Sequence, residues 1–333
     1  MKPAFVMPRI PRWLDGRPWV LALLVLSLVT PFAVSDYHVF QMTQILVYAI
    51  AILGLNLLTG FSGQISLGNG AFYALGAYTS VILFTNVGIP YWLTPPIAAA
   101  VCFGVGYLFG RSVAKLEGLY LALATFALAI VMPQFLKHDA LAKWTGGVQG
   151  IVITKPASPL PGLVTNDQWL YFFCFAIAVV VYVLAWNVMR GRTGRALVAL
   201  RDQTIAAATM GIDTPGYKAR TFGVSAMYTG IAGSLGALVA GFISPDSFTF
   251  LLSVQFLVGG VVGGIVSIFG TLFGAAFIEL LPDIANKLSD AAPYAIYGVL
   301  LILCMMVMPG GMAELVRSAR FRIARLVTHR TRT

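Results

Sequence analysis

The sequence predicts an all-α, polytopic membrane protein with about ten transmembrane helices (eight to ten), some of them short or broken. Three observations predict this fold class. First, 59% of the 333 residues are hydrophobic and only 10% are charged, with a mean hydropathy of +0.85, whereas about 25% of residues in soluble domains are charged. Second, apolar runs long enough to cross a bilayer recur along the chain. Third, Lys and Arg are concentrated between these runs and at the two ends.

Taken in order, the apolar runs define ten predicted spans. The run 251–284 is too long for one helix, since about 20 residues suffice to cross a bilayer, so we divide it into two spans. Its glycine-rich middle, residues 259–274, predicts a seam of close helix packing. This stretch and a polar interruption at 59–70 leave the count open between eight and ten. The spans cover residues 18–34, 39–58, 71–87, 93–110, 119–136, 168–189, 221–240, the two parts of 251–284, and 294–308.

The basic residues predict which ends of the spans face the cytoplasm, because cytoplasmic segments carry an excess of Lys and Arg. Of the 22 Lys and Arg, only four fall in predicted outer segments. Both termini are therefore expected in the cytoplasm. The net charge of +10 could indicate nucleic acid in a soluble protein, but membrane topology explains it here, so lipid and not nucleic acid is the expected partner. The expected organisation is a basic N-terminus (1–17), a transmembrane domain (18–310) with a cytoplasmic loop (190–220) and an outer loop (137–167), and a basic tail (311–333).

The basic loop 190–220 carries a predicted surface helix over residues 195–210. This stretch is rich in Ala and lacks Gly and Pro, which favours a helix. Gly194 precedes it, Gly211 follows it, and Pro215 blocks its continuation. A positively charged surface helix can lie on anionic lipid headgroups or bind a cytoplasmic protein, and the residues alone favour neither.

The polar interruption at 59–70 is the second candidate functional segment. Polar, non-helical backbone at membrane depth is tolerated inside protein or along a water-filled cavity, and broken helices of transporters often supply binding groups. We therefore expect a substrate pathway to follow this segment. The alternatives are glycine-mediated helix packing and a solvated cytoplasmic loop. The candidate pathway residues are Asn56, Ser62, Gln64, Ser66 and Asn69.

No residue pattern predicts catalysis, a metal site or a bound cofactor. The sequence lacks HExxH, GxSxG and the phosphate-binding GxxxxGK[ST] motif, so the chain is not expected to be an enzyme or to hydrolyse ATP by itself. Its three histidines are unpaired, and its three cysteines have no metal-ligand spacing. Glu279 is the most membrane-embedded acidic candidate, near the outer end of the ninth predicted span, and Asp283 follows one turn later. They are either functional intramembrane acids or solvated groups at the outer interface.

Several short motifs occur together and in the order typical of one family. They are Gly54-Leu55-Asn56-Leu57-Leu58-Thr59-Gly60, Gly63-Gln64-Ile65-Ser66-Leu67-Gly68, Gly118-Leu119-Tyr120, Ala124-Thr125-Phe126, Thr145-Gly146-Gly147, Gly194-Arg195-Ala196, Arg201-Asp202, Ala206-Ala207, Met210-Gly211-Ile212, Tyr217-Lys218, Ile243-Ser244-Pro245 and Gly263-Gly264. With these motifs the chain resembles the LivM-type permease subunit of bacterial branched-chain amino acid ABC importers, from about residue 40 to 310. Two positions depart from the family pattern, which usually has His where Asn69 stands and a second Gly where Val266 stands.

The resemblance implies an importer subunit of the bacterial inner membrane that moves branched-chain or related amino acids inward. It implies a heterodimer with a LivH-like second permease, two cytoplasmic ATPase subunits and a periplasmic substrate-binding protein. The surface helix would then be the ATPase-coupling segment, through Gly194, Arg195, Arg201, Asp202, Ala206 and Gly211. The alternatives are an ABC permease for urea, amides or aromatic acids, and a stand-alone channel or ion-coupled carrier. A membrane-embedded enzyme is disfavoured because the chain lacks a catalytic set.

Overall fold

A computed structural model describes residues 27, 29–159, 164–288, 298, 299, 302, 306, 311 and 312 of the chain. The predicted spans 18–34 and 294–308 and the terminal segments 1–17 and 311–333 therefore lie wholly or largely outside the described residues. The helices are α1 (Asp36–Leu55), a π-helix that continues it (Asn56–Phe61), α2 (Asn69–Thr85), α3 (Thr94–Val113), α4 (Leu119–Lys137), α5 (Asp139–Thr145), α6 (Asn166–Arg190), α7 (Arg192–Asp202), α8 (Thr204–Thr209), α9 (Thr214–Ala240), α10 (Phe250–Gly263) and α11 (Gly270–Leu288). The described residues also contain two short strands, β1 (Ile151–Val152) and β2 (Phe242–Ile243), and three 3-10 helices (Tyr91–Leu93, Gly147–Gln149 and Pro245–Phe248).

The described residues confirm an all-α membrane protein. Five of their helical segments are long and apolar enough to cross a bilayer: Asp36–Phe61, Tyr91–Val113, Leu119–Lys137, Asn166–Arg190 and Thr214–Ala240. The run 251–284 is divided into α10 and α11, as predicted. Gly264, with φ of +106°, follows α10 and turns the chain away from the helix path, which is a backbone conformation that glycine adopts readily.

Helix α9 lies at the centre of the fold. Of its apolar membrane-spanning stretch, 83% is buried inside the described structure, compared with 28% for α6. Glycines allow its neighbours to approach closely. A side chain at Gly76 of α2 would overlap the backbone of Gly230 in α9, and one at Gly54 of α1 would meet the carbonyl oxygen of Ser225. Such small-residue contacts replace the hydrophobic driving force that is missing between helices in lipid.

At one end of the bundle, the predicted outer loop is folded against the linker that follows α9. β1 pairs antiparallel with β2, with Ile151 opposite Ile243. Lys137 Nζ lies 2.6 Å from Asp246 Oδ1, which joins the end of α4 to the same linker. The two segments assigned to the outer side therefore form one surface.

Two predicted helix boundaries were wrong. The surface helix expected over 195–210 is two helices, α7 and α8, separated at Gln203, whose backbone is extended (φ −155°, ψ 92°). The break lets Ala207 of α8 pack with Leu197 and Leu200 of α7 in one apolar cluster, which a straight helix would not do. Helix α9 begins at Thr214, seven residues before the predicted start at 221, because Asp213 caps it by accepting a hydrogen bond from the backbone N–H of Gly216.

Candidate functional site: the interrupted segment and the basic helix pair

The interrupted segment begins where α1 widens into its π-helical last turns. Its irregular backbone covers residues 63–68, less than the predicted 59–70, because the π-helix extends to Phe61. Gly63, with φ of +72°, ends the helix. Thr59 Oγ1 then donates to the carbonyl oxygen of Gln64 at 3.1 Å and holds the turn closed. π-Helical turns are rare and often occur at functional sites.

All five predicted pathway residues are buried, and their side chains bond within the chain. Asn56 Nδ2 donates to the carbonyl oxygens of Gly264 and Ser267, at 3.3 and 3.2 Å. These bonds tie the π-helix to the connector between α10 and α11. Burial of these side chains excludes the alternative in which the whole segment is a solvated loop.

Ser62 and Gln64 connect the segment to the start of α9. Ser62 Oγ donates to the carbonyl oxygen of Leu58 at 2.8 Å. The amide nitrogen of Gln64 donates to Ser62 Oγ at 2.8 Å and to the carbonyl oxygen of Lys218 at 3.4 Å. Lys218 in turn reaches the loop between α3 and α4, where its Nζ lies 2.6 Å from Glu117 Oε1.

Asn69 begins α2 deep inside the bundle. Its Nδ2 donates to Thr229 Oγ1 at 3.1 Å and to Ser225 Oγ at 3.4 Å. Ser225 and Thr229 lie 11 and 15 positions after the start of α9, which is about 16 and 22 Å along a helix. Ser66 Oγ completes the group by donating to Asn69 Oδ1 at 3.2 Å. The segment thus carries polar groups far into the helix bundle.

Two hydroxyl groups that sequence reasoning did not select also hold this segment. Thr125 Oγ1 of α4 accepts from the backbone N–H of Leu67 at 2.9 Å, and Ser253 Oγ of α10 accepts from the backbone N–H of Gly70 at 2.8 Å. A single Ser or Thr in an apolar helix carries no distinctive signal. Only the fold shows that these two satisfy backbone donors of a broken helix.

The helix pair α7 and α8, which the basic residues predict to lie in the cytoplasm, has an apolar inner face and an outer face of mixed character. Leu197, Leu200 and Ala207 are buried, whereas Ile205 is 79% exposed and Met210 is 85% exposed. Arg195 and Ala206 are also exposed. The outer face therefore combines positive charge with large apolar side chains.

The two predicted glycines of the helix pair have different environments. Gly194 lies inside α7 and not before it, and a side chain there would overlap the carbonyl group of Met189. Gly211 has φ of +82° and open space around it, and it reverses the chain between α8 and α9. The first glycine permits a close approach and the second permits a left-handed backbone.

Arg201 brings the two candidate segments together. Its Nη1 donates to the carbonyl oxygen of Gly60 at 3.1 Å, and its Nε donates to Asp202 Oδ1 at 3.0 Å. This contact joins two residues that are 141 positions apart in the sequence. The candidate ATPase-coupling residues and the candidate pathway residues thus form one connected site.

The remaining acidic candidates lie at the opposite end of the bundle. Asp283 Oδ2 accepts from the hydroxyl group of Tyr37 at 3.1 Å and from the amide nitrogen of Gln41. Glu279 is half-buried. Within the described ranges, no cluster of three or more His, Cys, Asp or Glu has the arrangement of a metal site. The site that the structure assembles joins α7 to the interrupted segment, and the interrupted segment to α9 and the α10–α11 connector, through hydrogen bonds.

Comparisons with known proteins agree with this architecture. A family described as "Branched-chain amino acid transport system / permease component" matches residues 38–308. The chain is 32% identical to the high-affinity branched-chain amino acid transport system permease protein LivM of Escherichia coli, over 95% of this chain and 79% of that protein. LivM of Salmonella typhimurium matches with the same identity and coverage. The permease protein BraD of Pseudomonas aeruginosa is 24% identical over 65% of this chain and 74% of its own length.

The family match covers most of the chain, and the two LivM proteins align with nearly all of it. A transport permease component with several apolar helices is a multi-pass membrane protein. The chain belongs to the family of permease components of branched-chain amino acid transport systems.

Proposed function

We propose that this chain is the transmembrane permease subunit of an ABC importer in the bacterial inner membrane, which moves branched-chain or related amino acids inward. The family and the printed functions of LivM and BraD support this substrate class. The phosphate-binding motif of an ATPase is missing from the sequence, so separate subunits supply the energy. We also propose a LivH-like second permease, two ATPase subunits and a periplasmic binding protein as partners.

The exposed apolar side chains of the basic helix pair carry the ATPase proposal. Ile205 and Met210 are 79% and 85% exposed, and Arg195 of α7 is also exposed. On a surface that faces water, large exposed apolar groups among charges mark protein interaction sites. An anionic lipid surface also attracts arginine and takes up apolar side chains, but a transport permease component without an ATPase motif of its own needs a protein partner at such a surface. We therefore assign the outer face of α7 and α8, with Asp202, Ala206 and the following Gly211, to ATPase docking. Gly194 is buried, and we assign to it the close packing that shapes the pair.

We assign the substrate pathway to the side of the bundle that contains the interrupted segment. Asn56, Ser62, Gln64, Ser66 and Asn69 supply polar groups at depth, where the flanking helices offer mostly apolar ones. Their hydrogen bonds lie within the chain, so passage of a substrate would require them to exchange partners. A permease that accepts several apolar side chains needs only such a weakly polar route, because recognition of the amino acid belongs to the binding protein.

The ATPase proposal is tested by changing Ile205→Asp in the complete complex. We expect the ATPase subunits to copurify about tenfold less, since a carboxylate replaces an apolar anchor at the interface. The matched control is Val152→Asp, because Val152 is 77% exposed but belongs to β1 at the opposite end of the fold. Copurification at the normal level in Ile205→Asp would contradict the proposed docking face. Leucine uptake by the purified chain in liposomes without ATPase subunits would instead establish a channel or carrier.

A further inference from the structure

The side chain of Arg201 physically joins the basic helix pair to the interrupted segment. Arg201 lies in the last turn of α7, and its Nη1 donates to the carbonyl oxygen of Gly60 at 3.1 Å. Gly60 is the last but one residue of the π-helix. Carbonyl groups at a helix end lack partners within the helix and carry the negative end of its dipole. A guanidinium is the strongest side-chain donor available for such a group.

The aliphatic part of Arg201 makes a second contact with the same segment. A Cβ atom at Gly63 would lie 3.0 Å from Arg201 Cγ and 3.5 Å from Arg201 Cβ. The arginine stem therefore lies directly on the backbone of Gly63, and the absence of a side chain there makes the contact possible. On the other side, a side chain at Gly60 would overlap the carbonyl group of Ile265. The segment is held between α7 and the α10–α11 connector.

The Arg201 side chain contacts both Asp202 at the surface and the interrupted segment inside the fold. Its side chain is only 31% exposed, although the helix faces water on its outer side. The ion pair with the neighbouring Asp202 is largely solvated, so it contributes little stability by itself. Asp202 Oδ1 accepts a hydrogen bond from Arg201 Nε, while Arg201 Nη1 donates to the carbonyl oxygen of Gly60. The carboxylate of Asp202 thus orients the guanidinium.

From the interrupted segment, hydrogen bonds lead further into the bundle. Asn56 reaches the α10–α11 connector, and Asn69 reaches the middle of α9. Closely packed interiors transmit displacement because few voids absorb it. We infer that Arg201 is a positioning residue that transmits movement of α7 to the interrupted segment. This inference rests on the proposed coupling to an ATPase.

The first test compares two charge losses at one end of the bundle, Arg201→Gln and Arg111→Gln, in the complete complex in proteoliposomes. Arg111 is exposed in the last turn of α3, outside the helix pair. We expect the ATPase subunits to copurify with both variants. Stimulation of ATP hydrolysis by the leucine-loaded binding protein should fall about tenfold in Arg201→Gln, as expected when one charge-assisted hydrogen bond is lost, and should be unchanged in Arg111→Gln.

Three results separate the possible failures. Normal stimulation in Arg201→Gln overturns the inference alone. An equal loss in Arg111→Gln also overturns it, because the effect would then be one of charge. If the ATPase subunits do not copurify with the unchanged chain, the proposed function fails and the inference fails with it.

A covalent replacement of the contact provides the second test. The 3.5 Å between a Cβ atom at Gly63 and Arg201 Cβ lies within the range of disulfides, about 3.5–4.5 Å. In a background with Cys102, Cys174 and Cys304 changed to Ala, Arg201→Cys alone should lose stimulation. Adding Gly63→Cys and oxidising should restore it, and reduction should abolish it again. Two free thiols would disappear on oxidation. A cross-linked complex that stays unstimulated would overturn the inference.

Discussion

The hydroxyl group of Ser66 is buried in the described structure, where it donates to Asn69 Oδ1 and accepts from the backbone N–H of Gly68 at 3.3 Å. Both bonds are local, and the neighbouring Ile65 is 45% exposed. A group bonded in this way can be released by a small rearrangement of the segment, whereas a group bonded between two long helices cannot. The pathway role of this residue can therefore be tested by its accessibility during turnover.

Ser66→Cys, in a background without other cysteines, should react slowly with a hydrophilic thiol reagent in the resting complex. We expect the labelling rate to rise about tenfold during ATP hydrolysis and to fall again in the presence of leucine, because the substrate would occupy the same route. Ser80→Cys is the matched control, since Ser80 is equally buried but donates to Ser234 Oγ of α9 at 2.6 Å, away from the segment. Equal rates at rest and during turnover would argue against the pathway.

The packing of α2 against α9 depends on glycine. A side chain at Gly76 would overlap the backbone of Gly230, whereas Gly104 of α3 has open space around it. Gly76→Ala should lower the melting temperature of the purified complex, because overpacking of a core costs about 1–3 kcal/mol. Gly104→Ala should leave it unchanged or raise it slightly, since Ala favours a helix by up to about 1 kcal/mol over Gly. Equal melting temperatures for the two variants would show that the contact between α2 and α9 accommodates a side chain at position 76 without cost.

Apolar length alone located the long helices well. The predicted spans 93–110, 119–136 and 168–189 differ from α3, α4 and α6 by at most three residues at either end, because lipid demands a minimum run of apolar residues. The break at Gln203 was not predictable in this way. No Gly or Pro marks it, and it arises because α8 packs its Ala207 beside Leu197 and Leu200. Such tertiary contacts override the helix preference of the alanines.

The candidate site was predictable only in parts. Its polar residues stand out in the sequence because they interrupt an apolar run. The contact of Arg201 with Gly60 spans 141 positions and involves a backbone carbonyl group, so no local pattern encodes it. The bonds of Thr125 and Ser253 to the segment are equally unpredictable: Thr125 lies in one of the family motifs, but nothing in the sequence pairs it with Leu67, and Ser253 lies in none. These connections follow from the way the helices are arranged around α9.

Contacts between loops of the folded chain show which loops lie together at each end of the helix bundle. At one end, Thr165 Oγ1 donates to Asp36 Oδ1 at 3.3 Å, and Lys137 pairs with Asp246. At the other end, Lys218 pairs with Glu117, and Arg201 reaches Gly60. Each contact joins segments that the basic residues assign to the same side. The fold therefore groups these loops as the charge distribution predicts, with β1 and α7 at opposite ends of α6, a helix long and apolar enough to cross a membrane.

This orientation predicts opposite labelling of two exposed positions on either side of α6. In the background without other cysteines, Val152→Cys should react with a membrane-impermeant maleimide in spheroplasts, and Ile205→Cys should react only in inverted vesicles or after permeabilisation. The residues are 77% and 79% exposed, so a difference in rate would report the side of the membrane and not burial. If both label from the same side, α6 does not span the bilayer. If Ile205→Cys reacts in intact spheroplasts, the basic helix pair lies on the outer side, where no cytoplasmic ATPase could reach it, and the orientation that the basic residues predict is wrong.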